Sequence, residues 1–178
     1  MIQHVNVKVF ALSPEGVDLS AALAVFQRWI RENTGEELLI DVADYRHVPA
    51  GPGVVLVGYV ANYSLDNGGR RLSLLYNRKG RLEGGAEQNI AQALNAATAA
   101  CRRLEEEPGF EGKLKFGRDM EIIINDRALA PNTDEAFAAL KPAIESALQA
   151  TYGAVDFDLE RLGDARERLR VGIRARRG

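Results

Sequence analysis

Residues 54 to 61, Val-Val-Leu-Val-Gly-Tyr-Val-Ala, form the stretch that decides the fold. A strand with one face in water alternates apolar and polar residues, whereas this stretch is apolar on both faces, which is typical of a central strand. We therefore predict a single strand over residues 54 to 63, in the middle of a sheet. Its end follows a Val-Gly-x-x-Ala pattern that returns at residues 171 to 175.

The shared pattern belongs to a longer internal similarity. Residues 5 to 61 read as strand, helix, strand and strand, and residues 119 to 176 read in the same order. Matches that keep their order at a near-constant offset indicate an internal repeat. We predict one compact domain, residues 1 to 178, with two related halves and with residues 62 to 118 as a connecting hairpin strand and helix.

The pattern within each half predicts how its strands are arranged. In the first strand Val5, Val7 and Val9 alternate with Asn6 and Lys8, so one face of the sheet is partly polar. A helix of about 16 residues is long enough to cross over a sheet and to place the next strand parallel to the first. The strand that follows by a hairpin would then lie between those two. The predicted fold is α+β and ferredoxin-like in topology, a mixed, mainly antiparallel sheet with helices on one face.

Turn and helix signals divide the rest of the chain. Asp66-Asn67-Gly68-Gly69 predicts a hairpin turn, after which the strand at residues 72 to 76 should pair with the strand at residues 54 to 63. Periodic apolar residues predict helices over residues 18 to 33, 87 to 106 and 133 to 152. Because Pro142 lies inside the last of these, we expect a kink or break at residues 138 to 141.

Composition excludes several classes of protein. The chain has 178 residues, one cysteine and a formal net charge of -2. A lone Cys101 forms no intramolecular disulfide, and no signal segment is recognisable, so we expect a cytoplasmic location. No apolar run approaches the roughly 20 residues of a membrane span. The near-neutral charge disfavours nucleic acid as a partner.

Signature motifs for phosphate loops, Rossmann cofactor binding, zinc proteolysis and the α/β-hydrolase elbow are absent from the sequence. The densest polar cluster is Asp41, Asp44, Tyr45, Arg46 and His47, where a histidine beside carboxylates could act as a general acid or base. The alternative is a strand end in solvent. We predict no metal and no cofactor, because these ligands are too few.

Two further places carry candidate ligand-binding residues. Asn125-Asp126-Arg127 follows a strand, where function is often located, and Arg127 could hold a carboxylate or phosphate; the alternative is a structural turn. Arg78 opens a basic loop just before a helix, which could bind an anion or could be solvated.

Three features favour packing over chemistry. Seven arginines lie between residues 161 and 177, but acidic residues at 156, 158 and 160 are placed to form cross-strand ion pairs with them. Cys101 lies on the apolar stripe of its helix, which is typical of a core residue. Trp29 lies at the edge of another such stripe.

These observations favour a non-enzymatic binding protein that self-associates as a homodimer through its partly polar sheet face. The alternative is a small cytoplasmic enzyme or metabolite-binding protein. Its site, in a cleft between the two repeats, would draw on Tyr45, His47, Arg78 and residues 125 to 127. A protein partner or a small anionic ligand is compatible with the same residues.

Overall fold

A computed structural model describes residues 2–35 and 37–176. In this part of the chain, eight strands form one sheet and three α-helices pack against it, which confirms the predicted α+β class. The elements are β1 (Val5–Ala11), α1 (Ser20–Glu32), β2 (Leu39–Tyr45), β3 (Gly53–Gly58), β4 (Ala61–Asp66), β5 (Ser73–Arg78), α2 (Ala86–Glu105), β6 (Phe116–Ile124), α3 (Asp134–Tyr152), β7 (Phe157–Leu162) and β8 (Leu169–Ala175).

The strands lie in the order β2-β3-β4-β5-β1-β6-β8-β7. Every neighbouring pair is antiparallel, so the sheet that the sequence predicted as mixed contains only antiparallel pairings among its named strands. The first strand along the chain, β1, occupies the middle of the sheet between β5 and β6.

The two halves differ in how many strands separate the pair joined by a helix. In the second half, β8 alone lies between β6 and β7, which run in the same direction, as the sequence predicted. In the first half, β3, β4 and β5 all lie between β2 and β1, so the prediction of one inserted strand is wrong there. That the halves derive from one copied unit stays a prediction.

The segment at residues 54 to 63 is not one strand but two, β3 and β4, which turn at Tyr59 and Val60. The carboxylate of Glu37 accepts hydrogen bonds from the amides of Val60 at 3.1 Å and Ala61 at 2.7 Å. This distant side chain satisfies amides that a tight turn would otherwise expose, and it lets an apolar sequence change direction.

The other two local predictions have different outcomes. The hairpin turn after Asp66 is confirmed, but it joins β5 to β4 rather than to β3. Of the predicted kink or break at residues 138 to 141, the break is wrong, because α3 continues through Pro142, and the kink stays a prediction. Pro142 has no N–H to donate to the Ala138 carbonyl. Because Ala138 and Pro142 are both exposed, water can donate to that carbonyl instead.

The core lies between the helices and one face of the sheet. Val5, Val7 and Val9 of β1 join it, together with Phe26 of α1 and Leu94 of α2. Among the described residues, no helix packs on the opposite face of the sheet. We call it the uncovered face; its central positions are Asn6, Lys8, Phe10, Asn62, Ser64, Ser73, Leu75, Asn77, Glu121, Ile123 and Arg170.

Candidate functional site

The candidate catalytic cluster lies at the end of β2, an edge strand. Asp44 accepts two hydrogen bonds from the Arg46 guanidinium, at 2.9 and 2.7 Å, and one from the Arg46 amide at 3.0 Å. These hydrogen bonds lower the pKa of Asp44 to about 2. Tyr45 and His47 are exposed. Because Asp44 is held by Arg46, it does not orient the His47 ring as a general base would require.

Asp126 connects the chain after β6 to the segment that precedes β1. Its carboxylate accepts hydrogen bonds from the amides of Gln3 at 2.6 Å and His4 at 3.0 Å, and Oδ1 lies 2.9 Å from Nδ1 of His4. Burial alone would raise the pKa of Asp126, but the hydrogen bonds from His4 and Gln3 outweigh it and hold the pKa below its ordinary value.

The neighbours of Asp126 lie at one corner of the sheet. Asn125 donates to Oδ1 of Asn6 at 3.0 Å and accepts from Arg168 at 2.8 Å. Arg127 lines a surface hollow of about 390 Å³ with Arg166, Glu167, Arg168 and Arg170. This corner is positively charged.

Topology keeps these two groups of candidates apart. β1 and β2 run in the same direction, so Tyr45 at the end of β2 and Ala11 at the end of β1 lie at the same end of the strands. Ile124, the last residue of β6, pairs with Val5, the first residue of β1, and so lies at the opposite end of the strands. Four strands also separate β2 from β6. His47 and Arg127 therefore do not share a cavity.

Arg78 lies elsewhere, in a cleft of about 490 Å³ on the helix-covered side. The cleft opens between α1 and α2, above β3, β4 and β5. We call it the interhelix cleft; its polar and aromatic lining residues are Trp29, Glu37, Tyr63, Arg78, Gln92 and Arg103.

Hydrogen bonds between α1 and α2 hold the cleft together. The Trp29 indole donates to Oε1 of Glu107 at 2.6 Å, and Arg28 forms an ion pair with the same carboxylate. Arg103 donates to Glu32 at 2.8 Å, and its guanidinium lies 4.1 Å from the centre of the Trp29 ring. Paired charges thus join α1 to α2 and to Glu107 just after it, in addition to the apolar core that the two helices share.

The C-terminal hairpin confirms part of the predicted charge pattern. Arg174 pairs with Glu160 at 3.0 Å and Arg176 with Asp158 at 2.7 Å. Arg161 instead donates to Asp134 at 2.6 Å, at the start of α3. Most of these side chains are well exposed, so each pair adds little to stability.

The described residues thus form an antiparallel α+β protein with an uncovered sheet face and a cleft between two helices. No known family model, curated protein or solved structure matches the chain. Among the described residues, none of the helices has both the length and the apolar character to cross a membrane. The same residues contain no group of three or more potential metal-binding side chains.

Sequence reasoning identified one residue of the interhelix cleft, Arg78, and missed the others. Trp29 gave a signal, because it is the one tryptophan of the chain and lies beside the apolar stripe of its helix. Tyr63 and Glu37 gave no signal in the sequence. Their contact depends on the turn between β3 and β4, which cannot be recognised in a continuous apolar stretch.

Proposed function

We propose that the protein is a non-enzymatic interaction protein that forms a homodimer through its uncovered face. The observation that carries this proposal is a sheet face over which no helix packs within the described part of the chain. The eight strands are separated by seven spacings of about 4.8 Å, which set the width of the face. About six residues per strand, each about 3.3 Å long, set its length, and the area is roughly 700 Å². A standard protein interface buries about 800 Å² on each partner.

The side chains of this face also suit a partner. Leu75, which is partly exposed, supplies apolar area, and polar residues surround it, which resembles the composition of non-obligate interfaces. Gly172 leaves a small hollow of about 80 Å³ beside Phe10 and Leu162 that a partner side chain can fill.

Two buried polar atoms on the same face, Oδ1 of Asn62 and Nε of Arg170, make no hydrogen bond within the described residues. Nε of Arg170 lies 3.8 Å from Oε2 of Glu121, an ion pair beyond hydrogen-bond distance. Such groups are costly in a folded protein, and each needs an explanation. A second copy that brings its own polar groups to this face would provide one, once the side chains turn towards it.

The separation of His47 from Arg127 supports a non-enzymatic role, because the candidate catalytic and ligand-binding residues cannot act on one substrate. A cytoplasmic location stays a prediction.

The test is the mass in solution, measured by sedimentation over a range of concentrations. We expect twice the chain mass of 19.5 kDa. Leu75→Glu, which places a charge in the middle of the uncovered face, should give the single-chain mass. Leu129→Glu makes the same change at an exposed residue in the turn after β6 and should leave the dimer intact. A wild-type protein with the mass of one chain at every concentration would overturn the proposal.

A further inference from the structure

The interhelix cleft has the size of a small-molecule site. Its volume of about 490 Å³ is within the roughly 300–1,000 Å³ that is typical of ligand pockets. It exists because α1 packs on β2 and β3 while α2 packs on β1 and β5, so β4 lies between the two helices. Ala96 and Ala99 line the α2 side of the gap, and their side chains are too short to fill it.

Two guanidinium groups in the lining keep hydrogen-bond donors available. Arg78 donates to two backbone carbonyls of the following loop, at 2.8 and 3.3 Å. Arg103 donates to Glu32, and its plane is fixed against Trp29. A guanidinium has five N–H donors, so these contacts leave donors on both groups for an incoming acceptor.

The one carboxylate among the described lining residues, that of Glu37, already accepts hydrogen bonds. Oε1 of Glu37 accepts from the amides of Val60 and Ala61, and Oε2 accepts from the hydroxyl of Tyr63 at 3.1 Å. Burial, with the nearby Glu37 charge, raises the pKa of Tyr63, so its hydroxyl stays protonated. Among the described lining residues, Arg103 is paired with Glu32 outside the lining, and Arg78 has no carboxylate partner, so an anion is favoured over a cation.

The remaining lining is apolar. Leu39 and Leu56 lie on the sheet side, Ala96 and Ala99 on α2, and the Trp29 ring on α1. We propose that the interhelix cleft binds a small amphipathic anion, with its acidic group at Arg78 or Arg103 and its apolar or aromatic body against these side chains. This site is on the helix-covered side and is independent of the uncovered face.

The test uses 8-anilinonaphthalene-1-sulfonate, an amphipathic anion, and N-phenyl-1-naphthylamine, which has the same rings without the sulfonate. Binding is followed by probe fluorescence and counted by calorimetry. We expect one sulfonate probe per chain and at least tenfold weaker binding of the uncharged amine, because a charge-assisted hydrogen bond is lost.

Matched variants locate the site. Of Arg78→Gln and Arg103→Gln, at least one should weaken the sulfonate probe about tenfold and leave the uncharged amine unchanged within about twofold. Arg102→Gln, the neighbouring exposed arginine on the same helix, should change neither. Ala96→Leu, which fills the cleft, should abolish binding of both probes.

The uncovered face provides the remaining control. Leu75→Glu should bind both probes as the wild type does, whatever its oligomeric state, so failure of the dimer proposal is distinguishable from failure of this one. Sulfonate binding that survives Ala96→Leu, sulfonate binding that survives both Arg78→Gln and Arg103→Gln, or no binding at ~1 mM probe, would overturn the proposal.

Discussion

Lys8 and Asp66 form an ion pair of 2.8 Å across β5, the strand that lies between those that carry them. The Asp66 side chain is only 5% exposed, and its Oδ1 also accepts a hydrogen bond from the Gly68 amide at 2.8 Å. The pair therefore connects the turn after β4 to the middle strand of the sheet.

Lys8→Met should lower the free energy of unfolding by about 3 kcal/mol, because it leaves a buried carboxylate without its counter-charge. The double variant Lys8→Met/Asp66→Asn should be more stable than Lys8→Met alone, since the unpaired charge is removed. Urea denaturation of the two single variants and the double variant measures this coupling. Strictly additive effects would show that the two side chains do not interact.

Asp126→Asn should lower the free energy of unfolding at neutral pH by about 2 kcal/mol, because hydrogen bonds to a charged carboxylate are lost. The control is Asp156→Asn, an exposed carboxyl with no side-chain hydrogen bond among the described residues, which should change stability by less than about 0.5 kcal/mol. Chemical denaturation measures both.

The same carboxyl gives stability a pH dependence. The pKa of Asp126 is lower in the folded protein than in the unfolded chain. Its contribution is therefore fully present above the unfolded value of about 3.9 and is lost as pH falls through the folded value. Between pH 5 and pH 2, the wild type should lose more stability than Asp126→Asn. Parallel pH profiles for the two proteins would contradict this assignment.

Cys101 should not react with a thiol reagent such as dithionitrobenzoate while the protein is folded. Cys101 lies in α2, and its side chain is buried in the core. This burial, with a smaller effect of the Glu105 charge, raises the pKa of the thiol well above its ordinary value. The thiolate is the reactive form. One thiol per chain should appear on addition of guanidinium; rapid labelling in native buffer would mean that α2 opens locally.

Pro142→Ala should raise the free energy of unfolding by about 1–2 kcal/mol. Alanine restores the hydrogen bond to the Ala138 carbonyl and is favoured in a helix interior by up to about 3 kcal/mol, part of which is offset because proline restricts the unfolded chain. The midpoint of thermal unfolding should rise by about 3–6 °C. Pro131→Ala, outside the helix and bridged to Arg168, should not raise it.

Local patterns in the sequence identified most elements of the fold. The alternation of β1, the periodicity of the three helices and the turn after Asp66 are each encoded within a few neighbouring residues, and each is present in the structure. The turn at Tyr59 and Val60 is different, because a carboxylate from residue 37 stabilises it. No local pattern in an apolar run reports such a contact.

The candidate sites show the same division. Residues 125 to 127 and His47 were singled out for their chemistry, yet the strand order places them at opposite ends of the sheet. Trp29 and Arg103 lie in different helices, and only the packing of α1 and α2 brings them together. Their shared site depends on the three strands that lie between β1 and β2, where the predicted repeat implied one.

The central position of β1 governs the order in which the sheet can be completed during synthesis. β1 is made before every other strand described, but its partners end only at Arg78 and Ile124. A chain growing from its amino terminus holds this valine-rich segment with both hydrogen-bonding edges open until β5 has left the ribosome, and with one edge open until β6 has followed. Pairings between segments far apart along the chain form slowly, so β1 is the segment that nascent-chain chaperones would meet for longest.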